Sequence, residues 1–405
     1  MLYNQKKVNF LVIFFLCIIE SFSFGILLTT FSSLFFDPSG LFNLSIPHAE
    51  RARWLGVAFA IAPLAQFVSA GFLGRFSDQF GRKKWLLISI AGIAFSMLLL
   101  IFSILFKIFF LLLLSRLITG LFTGYVAIAQ AAIADMSSTK SKVEQFNYME
   151  LSLGLGMLLG PLAGSMLLSY YHSIVLPYEL NLALMLILFF IFIFFFKEPS
   201  LQFHCKLKPN IKMAQAINKK IIILLIAWAI FMFGWTMYLK FFTNFLQEAQ
   251  HFNFLKIGHT YVFMGLIYLA CQIFIVRRLA KKIEAKKWTA PCMLGVGVCM
   301  VWMGVSHSTP MLYLALTAYL FVMALFLPSF HAWLSDEANP EDQGSIFGVS
   351  VSLHALMGIF SGLLGGELLV FSSRFILYGA GIFIFLSFIF IYCVKNKNSA
   401  ESVSY

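Results

Sequence analysis

Two ionisable residues sit in apolar surroundings that give them no local partner. Glu20 lies within Cys17-Ile-Ile-Glu20-Ser21-Phe-Ser23-Phe-Gly25, and Glu20, Ser23 and Thr30 share one stripe at helical spacing. Arg116 heads a second polar stripe with Thr119, Thr123 and Gln130. A carboxylate isolated in hydrocarbon is tolerated in its neutral form, so cycling between water and an apolar setting would load and release a proton. An arginine there faces a cavity or an acid. Two plainer readings stand beside these: a permanent Glu20–Arg116 pair, and an Arg116 that snorkels to the outer interface.

His354, with Ser350 and Ser361 on its face, is either a solute contact or a satisfied core histidine. Trp228 and Trp235 stand seven residues apart and could line a cavity for flat apolar solutes, although aromatic packing also explains them. Glu150 opens a later helix and is expected to pack near the cytosolic end. The dinucleotide glycine fingerprint, the Walker A loop, His-Glu-x-x-His and Cys-x-x-Cys are all missing from the chain. The six cysteines are scattered, mostly in apolar runs, and read as small core residues. No catalytic set, no metal site and no cofactor are expected.

Helices crossing a bilayer must hold these residues. Of the 405 residues 60% are hydrophobic and 11% charged, with mean hydropathy +0.89. Soluble domains carry about 25% charged residues, so this chain is read as a membrane protein. An apolar helix of about 20 residues crosses the hydrocarbon, and twelve candidates follow at roughly 8–30, 53–73, 85–106, 108–134, 146–169, 179–196, 221–241, 257–276, 288–306, 311–334, 344–371 and 375–394. With both termini on one side, most of the 29 Lys and Arg share that side, and the other side keeps Arg51, Arg53, Lys107, Lys240, Lys256 and Arg374. The positive-inside rule makes the rich side cytosolic. The net charge of +12 is thereby explained by topology, without nucleic acid. Lys6 and Lys7 precede an apolar run that carries Glu20 and no small-residue cleavage site, so it is read as a retained first helix.

The longest polar stretch lies between Lys197 and Lys220 and contains Pro199 and Pro209. It divides the chain into an N-terminal six-helix bundle (1–196), a cytosolic loop (197–220), a C-terminal six-helix bundle (221–394) and a cytosolic tail (395–405). Gly74–Trp85 aligns with Arg277–Trp288, and Asp135, Phe146 and Gly164 align with Asp336, Phe347 and Gly365 at nearly the same offset. The halves therefore read as a parallel duplication.

Between helices two and three stands Gly74-Arg-Phe-Ser-Asp78-Gln-Phe-Gly81-Arg82-Lys83-Lys84. Its glycines permit tight turns, and Asp78 suits a helix N-terminus. This loop resembles the signature of the major facilitator superfamily, departing at Gln79 where a basic residue is usual. Leu114–Gly124 is similar to the second motif of that superfamily. Gly154-Leu-Gly156-Met-Leu-Leu-Gly160-Pro161-Leu-Ala-Gly164 resembles its antiporter motif, with Ser165 in place of a final glycine; Gly156, Gly160 and Gly164 also make a smooth packing face on their own account. The stretch around Glu20 is similar to the first helix of drug:proton antiporters, including tetracycline exporters.

The resemblance implies an all-α polytopic membrane protein, two pseudo-symmetric six-helix bundles with the substrate site between them, working by alternating access. It also implies a cytosolic latch of Gly74, Asp78, Gly81, Arg82 and Asp135. Proton coupling is expected at Glu20 and Arg116, and cavity contacts at Ser23, Thr119, Gln130, Trp235 and His354. The function expected first is proton-driven export of a small amphipathic compound by a monomer in the bacterial inner membrane, both termini cytosolic, its partners a small solute, protons and the lipid bilayer. The alternative is proton-coupled uptake of a nutrient or siderophore-like solute. A membrane-embedded enzyme or transporter-like sensor is a third reading, which would need a clustered catalytic set.

Overall fold

A computed structural model describes residues 2–125, 128–129, 132–133, 139–198, 218–276, 285–338 and 343–403, and at some helix positions, Gly74, Asp78 and Glu150 among them, the backbone alone. Among the described residues the chain is helical with no strand.

One compact unit comprises Met1–Leu207 with Phe252–Val262. It holds α1 (Leu2–Thr30), the short α2 (Ser33–Phe36), α3 (His48–Phe80), α4 (Arg82–Phe106), α5 (Phe109–Phe122), α6 (Thr139–Tyr171) and α7 (Leu176–Phe195). The other comprises Lys208–His251 with Phe263–Tyr405. It holds α8 (Lys219–Glu248), most of the chain beyond the start of α9 (Phe254–Ala270), the π-helical turn Cys271–Val276, α10 (Ala285–Val305), α11 (Thr309–Asp336), α12 (Gln343–Phe371) and α13 (Ser373–Val403).

Among the described residues eleven helices are long and apolar enough to cross a membrane, and α5 is a shorter apolar helix at the place expected for the fourth span. That span was expected over 108–134. The regular helix is interrupted by a turn at Thr123 and Gly124, where glycine weakens the helix, and the described residues beyond it, 125, 128–129 and 132–133, are helical again.

The packing order repeats. In the first unit α1 packs on α6 and α7, and α4 on α5 and α7; in the second α8 packs on α12 and α13, and α10 on α11 and α13. Helix ends follow local rules. Pro177 stands in the first turn of α7 and Pro310 in that of α11, where a missing N–H costs nothing. Lys107, left-handed at φ 55°, closes α4.

Two expected boundaries move. The segment read as a loop from Gly74 is helical through Phe80, and α4 starts at Arg82, so the interruption shrinks to Gly81 at φ +97°. No proline interrupts 75–80, and one isolated glycine at 74 does not stop a helix. Likewise the seventh span does not end at 241 but runs to Glu248, because the apolar Phe241, Phe242, Phe245 and Leu246 continue the buried face. Lys240, placed from the sequence at the outer end of its span, therefore lies further inside it.

Candidate functional site

Helix α1 is seated by the glycine face of α6. A β-carbon at Gly156 would strike the Ile18 carbonyl and, at 2.6 Å, Ser21 Cβ; one at Gly160 would strike the Phe22 carbonyl; one at Gly164 would stand 2.7 Å from Thr29 Oγ1. Gly25 answers from α1, where a β-carbon would meet Pro161. Only a row of glycines lets two backbones approach this closely, and that approach fixes the turn of α1 that carries Glu20.

Glu20 itself is half-buried, and among the described residues it makes no hydrogen bond and no ion pair. The buried Tyr125 hydroxyl lies within electrostatic reach of it and has no hydrogen-bond partner among the described residues. Three residues on, Ser23 donates to Asn181 Oδ1 at 2.5 Å, and the Asn181 amide points at Met97 Sδ at 3.5 Å. Near the end of α1 the Thr30 hydroxyl donates to Tyr178 at 2.8 Å.

Arg116 belongs to that second level. It is 7% exposed, its guanidinium lies 5.3 Å from the centre of the Phe31 ring, and Tyr178 is within electrostatic reach. Its Nε has no partner among the described residues. Phe31 is eleven residues beyond Glu20, which is about 16 Å along a helix. The structure thus separates Glu20 from Arg116, and the permanent pair is absent. The snorkelling reading also gives way, since the guanidinium is buried over an aromatic face. Thr119 donates to Ser96 at 2.9 Å, and Thr123 to the Thr119 carbonyl at 2.6 Å. Gln130 lies outside the described residues.

At the α3–α4 junction Arg82 is buried and donates to Ser77 Oγ at 2.7 Å. Asp135 lies outside the described residues, as do the side chains of Asp78 and Glu150, and of Gly74 only the backbone is described. Glu198, just past α7, takes the Arg82 N–H at 2.6 Å on one carboxylate oxygen and the Lys83 N–H at 2.8 Å on the other. An anion bridging the first two amides of α4 satisfies donors that a helix start leaves open.

In the second unit Trp235, His354 and Lys240 gather between α8 and α12. The Trp235 indole donates to the Tyr319 hydroxyl at 3.1 Å, and its ring centre lies 6.1 Å from that of His354. His354 is half-buried and makes no hydrogen bond among the described residues. The Lys240 ammonium donates to the Gly358 carbonyl and lies 3.4 Å from Ser361 Oγ, which takes a 2.8 Å bond from Thr236. Trp228, by contrast, is buried among Phe231 and Phe330 and donates to the Ser350 carbonyl at 3.2 Å. It is a packing residue.

The sequence profile of the Major Facilitator Superfamily matches residues 10–360, and matches again over 224–404. The chain belongs to this superfamily. It is 23% identical over 375 residues, 90% of either chain, to multidrug resistance protein 2 of Bacillus subtilis. It is 26% identical over 332 residues to the class D tetracycline resistance protein of Salmonella ordonez, covering 79% of this chain and 80% of that one. Among solved structures, the human organic anion transporter MFSD10 aligns with TM-score 0.67 at 19% identity, covering 95% of this chain and 99% of that one. The nucleoside transporter NupG aligns with TM-score 0.76 at 14% identity and the same coverage. As a Major Facilitator Superfamily member the protein is a multi-pass membrane transporter, not an enzyme, with drug-efflux relatives.

Sequence reasoning missed Tyr125, Tyr178, Asn181, Tyr319, Lys240 and Glu198. Asn181 carried a signal, a lone amide in an apolar run, and so did Lys240, whose apolar flanks continue to Leu246. The tyrosines carried none among 14 of their kind, and Glu198 beside Lys197 read as ordinary loop charge.

Proposed function

We propose that this transporter expels a small amphipathic compound in exchange for protons, and that Glu20 carries the proton. What supports this is a half-buried carboxylate without hydrogen bond or ion pair, on a helix turn held in register by Gly156, Gly160, Pro161 and Gly164. About fifteen residues into the span Gln5–Phe36, halfway along it, it stands near the bilayer midplane, where alternating access would expose it to each side in turn. The multidrug and tetracycline resistance relatives favour export over uptake.

In this reading the six-helix bundles 1–196 and 221–394, linked by the cytosolic segment 197–220, alternate about a central site, with both termini and the 395–405 tail in the cytosol of a bacterium. Asp78, Arg82 and Asp135 latch the cytosolic ends of the first bundle, a role that fits the buried Arg82 beside the break at Gly81. Protons and a small solute suffice as partners, and a monomer suffices as the working unit. Purified protein in liposomes with an imposed pH gradient provides the test. Wild type should move substrate against its gradient, and Glu20→Gln should not. Flux in the Gln variant equal to wild type would remove Glu20 from the coupling step.

A further inference from the structure

The second unit carries a charge that proton coupling at Glu20 leaves unused. Lys240 lies in the span Lys220–Glu248, whose 29 residues extend about 43 Å against a hydrocarbon core of about 30 Å. Eight residues, about 12 Å, from the span's end, its backbone falls about 5 Å inside the hydrocarbon when the helix's excess length is shared between its two ends. A lysine at such a depth ordinarily snorkels outward. This one turns inward: its ammonium meets the carbonyl of Gly358, the midpoint of the span Ile346–Phe371. Side chains tilt toward the N-terminus of their helix, which aims this one toward the middle of the span.

Acids are not distributed to match. In the described spans of the second unit, carboxylates occur only at Glu248 and Asp336, which close their helices, and at Glu367, in the next-to-last turn of its own. Among the described residues the interior of these spans therefore holds Lys240, His354 and, beside Trp228, His331, and no carboxylate. His354 stands one helical turn before Gly358 and Ser361 almost one turn after it, so the ammonium, the imidazole and a hydroxyl share one face of α12. Trp235 flanks the imidazole and is oriented by its bond to Tyr319. Trp235, His354 and Lys240 are all half-buried, so they are not sealed into the bundle.

We propose that this cluster is the substrate subsite for an amphipathic organic anion: Lys240 takes the carboxylate or sulfonate, His354 hydrogen-bonds it, and Trp235 stacks on a flat apolar body. The inference rests on the transporter reading above and adds the charge of the solute. An ammonium already held by a carbonyl and a hydroxyl is positioned before the anion arrives, which lowers the ordering cost of binding.

The test is equilibrium binding to purified full-length protein of three probes of one shape: 2-naphthoate, neutral 2-naphthamide and cationic 2-naphthylmethylamine. Wild type should prefer the naphthoate by about tenfold or more over the amide. Lys240→Gln should erase that preference, Lys240→Arg should retain it, and Trp235→Ala should weaken naphthoate and amide alike. Should Lys240→Gln not fold, wild type still decides, because naphthoate and not naphthylmethylamine should protect Lys240 from acetylation as read by mass spectrometry. Equal affinity for the three probes, an unchanged preference in Lys240→Gln, or absent protection would each overturn the proposal. Proton-gradient-driven flux of a cationic dye without naphthoate binding would sink this site and leave the exporter reading standing. Lys240-dependent naphthoate binding without any gradient-driven flux would do the reverse.

Discussion

The first helix of each unit carries one membrane-embedded charge, an acid on α1 and a base on α8, and the two are held in different ways. On α1 the backbone is held: Gly156 and Gly160 of α6 admit its carbonyls to contact and Gly164 its Thr29 hydroxyl, and Glu20 projects from the fixed turn without a bond of its own. On α8 the side chain is held. Lys240 is bonded to the Gly358 carbonyl, while Phe241 fills the space a β-carbon would take at Gly365. A group that must change protonation gains from having no permanent partner, whereas a group that must receive an anion gains from a prearranged geometry. The same helix-packing order thus supports two kinds of site.

The comparison breaks first at Glu20. Glu20→Gln should reduce gradient-driven flux by about 100-fold or more, which is roughly 2.7 kcal/mol in the rate-limiting step. Glu20→Asp should keep partial flux, measured in the same liposomes.

Next come the glycines. Gly160→Leu drives a side chain into the Phe22 carbonyl, and overpacking of this kind costs about 1–3 kcal/mol or more. The expected outcome is a lower melting temperature in detergent and little flux. In the second unit Gly348, with open space around its α-carbon, should accept alanine and gain up to about 1 kcal/mol of helix propensity. Equal melting temperatures for the two variants would show that the α1–α6 contact is no closer than an ordinary helix pair.

Arg116 sharpens the contrast within the first unit. Lysine keeps the charge and loses the planar face that covers Phe31, so Arg116→Lys should lower flux by about tenfold, a loss of roughly 1.4 kcal/mol within the range of a buried cation–π contact. Normal transport by Arg116→Ala would assign the residue to packing alone.

The smallest effects belong to the helix ends. Arg374 donates to the Gly304 carbonyl at 2.6 Å and the Ser306 carbonyl at 3.0 Å, closing α10 in the second unit. Glu198 closes the start of α4 in the first. Arg374→Met should cost about 1–2 kcal/mol and Glu198→Gln about 1 kcal/mol or less, because the carboxylate is exposed and screened. Thermal unfolding of both variants at low and at high salt checks this, with the Glu198 effect shrinking as salt rises.

Much of the protein was legible before its structure. Apolar runs near 20 residues, an excess of Lys and Arg on alternate connections and the Gly156–Gly164 spacing read out twelve spans, the membrane and the packing face of α6. Each of these is a property of consecutive residues set against a solvent of fixed thickness, so no distant contact is needed to see it. Glu20 and Arg116 were also visible as anomalies, because a charge in an apolar run is anomalous wherever it folds.

Tertiary structure decided which charges meet. A permanent Glu20–Arg116 pair was one of the plainer readings of the sequence, yet the two lie at different levels of the same bundle, one by Tyr125 and the other by Phe31 and Tyr178. Lys240 read as the outer end of its span, yet α8 continues past it because Phe241, Phe242, Phe245 and Leu246 find a buried face. The length of an apolar run determines that a helix crosses the bilayer, but its depth and rotation come from the neighbours it packs against. Those two quantities place a charge beside a partner, beside a carbonyl, or beside nothing.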